Sequence, residues 1–285
     1  MLGKNNWLYY TPDNVLDDLQ GRIPFSYKQL DQCKHYFENK RVWLEERGIH
    51  YLLVIVPNKH SIYPENIKDK YLSEKGKTRT DQLVEYITEH SEIEFIDLRG
   101  SLLREKTNHR VYFPTDLHLN DKGAFIAYEE IIRKISKWFP KEKVIDRNNI
   151  GELLKYATDG ELAIMLGLPD CYPAYRNIVK VHSPCSITHE LILKSAPNKF
   201  TGTQICKNAA LHGVVFMDSM GLRIMPFLSE NFKRVHFMWR YFGYDVMQEI
   251  LEKDQEHPDI VIEEVLERLF TNPLFESLLE NTPHS

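Results

Sequence analysis

A chain of 285 residues has room for one large α/β domain, or for one domain with a substantial insertion, and its 42% hydrophobic and 12% aromatic content fills a core, which excludes a fibrous or disordered chain. A formal net charge of −5 and an isoelectric point near 6.2 exclude nucleic acid as the main partner, because a phosphate backbone calls for a basic face and no basic run with interleaved aromatics occurs. No stretch reaches the roughly 18–20 apolar residues of a membrane span, and Met1–Trp7 lack the charged-then-apolar pattern of a signal peptide, which taken literally gives a cytoplasmic protein.

Tyr51–Pro57 is a continuous apolar run, as expected of a strand buried on both faces of a parallel sheet. An amphipathic segment with Leu83, Val84 and Ile87 follows, then a short strand over Ile93–Leu98. A helical turn around Leu102 and a strand over Arg110–Phe113 lead to a helix from about Lys122 to Phe139. Its apolar stripe is Phe125, Ile126, Ile131, Ile132 and Ile135, and Pro140 closes it. Residues 140–210 are rich in turn formers, with Pro169, Pro173, Pro184 and Pro197, and their periodicity is patchy. They read as an irregular insertion or lid over one end of the sheet, with a short helix in Glu161–Leu168. The strand–helix rhythm then resumes with strand Gly213–Met217, a helix to about Phe232, strand Val235–Met238, a helix over Val246–Lys253 and strand Ile260–Glu263. Buried strands alternating with helices imply a three-layer α/β/α fold with a mostly parallel sheet, built as one domain over residues 1–285.

The four cysteines, Cys33, Cys171, Cys185 and Cys206, have no metal-binding spacing, and a chain of this size needs no staples, which favours free thiols over one or two disulfides. The twelve histidines are scattered without a His-Glu-x-x-His pair, so the spacing supports no metal site.

Chemistry concentrates at two places. Asp218-Ser219 ends an apolar strand and opens a helix, where a serine hydroxyl could act as nucleophile and the backbone N–H groups of residues 219–221 could receive an oxyanion, with Gly221 keeping the approach open. Asp218 or Ser219 could equally serve only as a helix cap. About a hundred residues earlier, Asp116 and His118 stand two apart on an extended stretch and so face one way. That suits a general base and the carboxylate that fixes its tautomer, although a polar turn capped by Asn120 or Asp121 would look the same. Gly-x-Ser-x-Gly is absent.

The stretch Tyr-Phe-Pro-Thr-Asp-Leu-His-Leu-Asn-Asp-Lys-Gly-Ala (112–124) resembles the Thr-Asp-x-His-Trp-x-x-x-Gly-Ala signature of the SGNH-hydrolase-like domain in alginate O-acetyltransferases. Val-Phe-Met-Asp-Ser-Met-Gly (215–221), followed by Pro-Phe-Leu-Ser-Glu-Asn-Phe (226–232), resembles that family's nucleophile block. Gly3–Tyr10, Val56–Glu65 and Pro258–Arg268 agree as well, in order along nearly the whole chain. The resemblance implies a serine-dependent O-acetyltransferase of the alginate-biosynthesis type, acting on polysaccharide hydroxyls with Ser219 as acyl nucleophile, His118 as base and acid, Asp116 as orienter, and no cofactor. A carbohydrate acetyl esterase with the same triad, or a non-catalytic glycan-binding scaffold, are the alternatives. The implied partners are a polysaccharide acceptor and an acetyl donor, which a membrane acyltransferase could hand over. The oligomeric state is left open.

Two aromatics of the family pattern are replaced here, by Leu119 after the histidine and Met220 after the serine, which weakens sugar stacking. A second oxyanion donor is expected at Asn58, which could equally be only a turn residue between Pro57 and Lys59, with Lys59 and Tyr63 as weaker substrate contacts. Arg268 and Glu264 are read as a structural pair, and Trp7 and Tyr9–Tyr10 either as a stacking platform or as an N-terminal strand packed on the domain. The family pattern begins ahead of Gly3, implying a leader or anchor and an extracytoplasmic (periplasmic or cell-surface) location.

Overall fold

The structure is a computed structural model that describes residues 1–146, 148, 150–157, 160–172, 174–181, 187–190, 193, 195, 201–253 and 257–280, with backbone only at 152–157, 174–181, 187–190, 201 and 280. Its helices are α1 (Val15–Leu19), α2 (Tyr27–Glu45), α3 (Lys59–Ile62), α4 (Arg79–His90), α5 (Arg99–Glu105), α6 (Asp121–Ile135), α7 (Glu161–Met165), α8 (Gly221–Leu228), α9 (Tyr244–Lys253) and α10 (Pro273–Glu280). Its strands are β1 (His50–Val56), β2 (Phe95–Asp97), β3 (Ile150–Ala157), β4 (Ala174–Val181), β5 (Ile187–Glu190), β6 (Thr201–Ile205), β7 (Leu211–Met217), β8 (Phe232–Trp239) and β9 (Ile260–Leu266).

Among the described residues, seven strands form one sheet in the order β2-β1-β9-β7-β8-β6-β5. The first five are parallel; β6 and β5 extend the sheet antiparallel. The alternation of side chains along a strand builds both faces. Tyr51, Leu53 and Ile55 of β1 pack with Phe37, Leu83, Val246 and Phe275 of α2, α4, α9 and α10. Leu52, Val54 and Val56 pack with Leu102, Ile132 and Phe227 of α5, α6 and α8. Two apolar layers on one sheet make this the expected three-layer α/β/α architecture.

Helix starts follow the sequence rules. Ser26 with Gln29 and Thr78 with Asp81 form capping boxes at α2 and α4, and the Asn120 side chain accepts from Gly123 N at 2.9 Å to cap α6. α6 ends at Ile135 instead of Phe139 because Lys137 N and Trp138 N switch to carbonyls three residues back, at 3.1 and 3.0 Å.

Three expectations need correction. Arg110–Phe113 is not a strand but contributes a single bridge, Tyr112 with Leu119. Its backbone is committed elsewhere, with Val111 N on the Tyr63 hydroxyl (3.0 Å) and Val111 O accepting from Asn120 N (3.1 Å). β9 runs to Leu266, past the acids that looked like its end, because Glu263 and Glu264 are buried and partnered. Cys33 and Cys171 are free, but Cys206 is in a disulfide; Cys185 lies outside the described residues. Within 140–210 the described residues include several regular elements. β3 and β4 pair antiparallel, α7 forms at Glu161–Met165, and β5 and β6 join the main sheet.

Candidate active site

The carboxyl ends of the three central strands open onto one place, as ligand sites do in parallel sheets. β1 leads into Asn58 and Lys59, β7 into Asp218 and Ser219, and β9 into Arg268. The loop between Tyr112 and Leu119 carries Asp116 and His118 to the same edge.

Ser219 Oγ lies 2.9 Å from His118 Nε2, and His118 Nδ1 lies 2.7 Å from Asp116 Oδ1. Asp116 is buried, which by itself would raise its carboxyl; the His118 side chain as donor and positive charge, the His118 backbone N–H (3.0 Å) and the Glu161 backbone N–H (3.3 Å) hold it well below the usual carboxylate range. Glu161 Oε2 stands 3.4 Å from His118 Nδ1, so the ring edge faces two acids. Both turn readings hold alongside the catalytic geometry at the Asp-His stretch, since Asn120 does cap α6. At the serine they diverge. The hydroxyl reaches His118 and not a helix amide, and Asp218 Oδ1 takes the Met220 N–H at 2.7 Å.

That turn alters the anion-binding expectation. Of the three N–H groups at 219–221, Met220's is taken by Asp218 and Gly221's by Glu264. Ser219's N–H makes no hydrogen bond among the described residues. Gly221 is needed for packing, because a Cβ there would sit 2.4 Å from Met217 Cβ. Beside the serine is a narrow cleft lined by Tyr10, Asn58, Lys59, His60, Leu117, Met220, Leu266 and Arg268. Asn58 precedes α3 without using its side chain as a cap, leaving the amide for the cleft. Lys59 borders the cleft, yet its ammonium donates to the carbonyls of Phe113 (3.1 Å), Pro114 (3.0 Å) and Asp116 (2.6 Å). Tyr63 is buried against Trp7, ring centroids 4.4 Å apart, and accepts from Val111 N.

Sequence reasoning missed two neighbours. The expected Arg268–Glu264 pair does not form. Arg268 instead reaches the cleft, stacked over the Tyr10 ring at 4.8 Å. Glu264 lies under the nucleophile turn and accepts from Asp218 N at 3.0 Å. Burial first, then the adjacent Asp218, pushes the Glu264 carboxyl far above its ordinary range, and the two acids are hydrogen-bonded side chain to side chain. Only the sheet register, which brings the end of β7 beside that of β9, could have revealed this contact.

The profile of a family described as "SGNH hydrolase-like domain, acetyltransferase AlgX" matches residues 1–198. The protein belongs to this family. Membership in the AlgX-like family supports an acetyltransferase role, and hence an enzyme. Among solved structures, PatB1 of Bacillus cereus superimposes with a TM-score of 0.66 at 17% identity, over 88% of this chain and 93% of that one. The O-acetyltransferase domain of Pseudomonas putida AlgJ gives 0.56 at 16%, over 99% of each. AlgX of Pseudomonas aeruginosa gives 0.58 at 14%, over 99% of this chain and 66% of that one. At such identities these likenesses speak for the fold alone. A comparison with curated protein sequences finds no match. Among the described residues, no helix is long and apolar enough to cross a membrane.

Proposed function

We propose that the protein is an O-acetyltransferase that carries an acetyl group on Ser219 and passes it to a polysaccharide hydroxyl. The observation that carries this reading is the continuous relay from Ser219 Oγ through His118 to Asp116, at 2.9 and 2.7 Å. His118 Nε2 removes the hydroxyl proton as Oγ attacks the donor's acyl carbon, while Asp116 accepts Nδ1–H and supports the imidazolium. The tetrahedral oxyanion would be met by the Ser219 N–H and the Asn58 amide. Collapse expels the donor's alcohol or thiol, protonated by His118, and leaves acyl-Ser219. A sugar hydroxyl, deprotonated in turn by His118, attacks the ester and restores the serine. No step requires a metal or organic cofactor.

Several features support the finer parts of the reading. The names of the structural neighbours include an O-acetyltransferase domain. α7, from the segment read as an insertion, lies over the dyad, with Glu161 N on Asp116 and Ala163 N on Thr115 O at 3.3 Å each, as a lid that limits water would. The Cys206 disulfide suits an oxidising, extracytoplasmic compartment.

The test is labelling with a fluorophosphonate, or turnover of a chromogenic acetyl ester, by wild type, Ser219→Ala and His118→Ala. Reaction in wild type alone is expected; no Ser219-dependent reaction near neutral pH would leave a glycan-binding scaffold. A mixture of acetyl donor and glycan followed by mass spectrometry then separates transfer from hydrolysis.

A further inference from the structure

Lys59 is a buried cation, 3% exposed. Taking an ammonium out of water costs several kcal/mol unless its donors are met. Here all three are met by the carbonyls of Phe113, Pro114 and Asp116, three residues of one loop. Those oxygens point at a common spot, where without a cation they would repel one another. The loop's other ties are single contacts from separate segments, Leu8 N on Pro114 O (2.8 Å), and Ala163 N on Thr115 O and Glu161 N on Asp116 Oδ2 (3.3 Å each). The loop belongs to no sheet, its one bridge is Tyr112 with Leu119, and the bond from Phe113 N to His118 O is long at 3.4 Å. Yet this loop carries both Asp116 and His118 across to Ser219, which lies on a different strand end.

We propose that Lys59 is the positioning residue of the acyl-transfer site, its ammonium drawing three loop carbonyls together so that Asp116 and His118 stay within bonding distance of Ser219. This rests on the acyl-transfer reading above and gives Lys59 a role other than substrate contact. A neutral amine has only two N–H donors, so loss of the proton releases one of the three carbonyls and loosens the dyad.

The charged and titratable groups facing Lys59 are Asp116 on the loop, the amino group of Met1, the adjacent His60 ring and the Tyr9 phenol, whose ring centroid lies 5.2 Å from Nζ. Burial pushes the Lys59 ammonium down to about 7, against the pull of Asp116. The unfolded chain therefore holds more protons than the folded one between about pH 7 and the ordinary lysine value of 10.5, and stability rises with pH across that window. Reactivity at Ser219 should fall over the same window, because the clasp loosens. A lysine that only fills the core would not set these two readouts in opposition.

The experiment measures the rate of fluorophosphonate labelling of Ser219 from pH 6 to pH 9, with thermal unfolding in parallel, in wild type, Lys59→Met and Lys59→Arg. Lys59→Met is expected to label about a hundredfold more slowly at pH 6.5, the scale of loss for a misplaced catalytic group. Lys59→Arg, which does not titrate in this range, is expected to lose the alkaline decline of the wild type whatever its absolute rate. Should Lys59→Met not fold, the Lys59→Arg profile decides. A folded Lys59→Met that labels at the wild-type rate, or an alkaline decline unchanged in Lys59→Arg, overturns the clasp. Absence of Ser219-dependent labelling in wild type overturns the acyl-transfer reading, and the clasp with it.

Discussion

Asp116 does two things with one carboxylate: it fixes the His118 tautomer through Oδ1 and accepts the Glu161 N–H through Oδ2. Asp116→Asn keeps the shape but presents an amide that can favour the wrong tautomer, so kcat for a chromogenic acetyl ester should fall by about 10³–10⁴ with KM little changed. Because its folded carboxyl titrates below the unfolded one, its stabilisation is present above about pH 4 and is lost as pH falls through the lower folded value. Acid unfolding of Asp116→Asn should lack that part of the loss. Beneath the serine, Glu264 takes the Asp218 N–H, and burial holds its carboxyl well above the ordinary range. Glu264→Gln imitates the neutral acid and should retain labelling of Ser219, whereas Glu264→Ala strands buried donors and should cost about 1–3 kcal/mol in urea unfolding. Equal loss in both would mean that the ionised form is the working one. Asp116, His118 and Ser219 are picked out because the stretches around them resemble a family's motifs, while their side chains and spacing alone would equally suit a turn and a helix cap. The burial of Lys59 and Glu264 could not be read from sequence. Nothing local marks a lysine or a glutamate as buried, since their surroundings come from residues about fifty apart in the chain.

At the scale of elements, the strands that read most clearly were those buried on both faces, β1 and β7, where unbroken apolar runs leave no other solution. Reading failed where the backbone is held by side chains instead of a ladder, as at Val111 with Tyr63, and where a buried acid imitates a strand end, as at Glu263 and Glu264. The strand-to-helix turn at Asp218–Gly221 shows how tightly such a junction can be built. Gly221 sits against Met217 so closely that an added Cβ would lie 2.4 Å from Met217 Cβ, a backbone-anchored atom that cannot swing aside. Gly221→Ala should therefore shift the turn, costing about 1–3 kcal/mol and slowing Ser219 labelling. Adding Met217→Ala should not rescue it, because the nearest atom remains. Recovery of labelling in the double variant would place the strain in the Met217 side chain and not in the turn.

Across the whole molecule, the face of the sheet that carries α2, α4, α9 and α10 contains a charge that takes no part in the proposed chemistry. Lys40 of α2, 2% exposed, donates to both oxygens of Glu263 at 2.9 Å, and Glu263 also accepts from Tyr51 Oη (2.6 Å) and Phe242 N (3.2 Å). The ammonium lies 3.6 Å from the Tyr36 ring centroid, which adds a cation–π contact. A buried pair of this kind contributes little net stability over an apolar equivalent, but breaking it leaves a carboxylate without its counter-ion. Lys40→Met should accordingly cost about 3–5 kcal/mol in urea unfolding at pH 7. Burial pushes the Lys40 ammonium down to about 8 despite Glu263, so between that value and 10.5 the unfolded chain binds more protons and wild-type stability rises with pH. Lys40→Met should lose the part of that rise due to this residue and so fall further behind wild type at pH 9.5 than at pH 7. Native Lys40→Met should still label Ser219 at the wild-type rate, because the pair sits on the opposite face of the sheet from α6 and α8, which flank the site. A variant within about 1 kcal/mol of wild type would mean that Tyr51 and Phe242 suffice to hold Glu263.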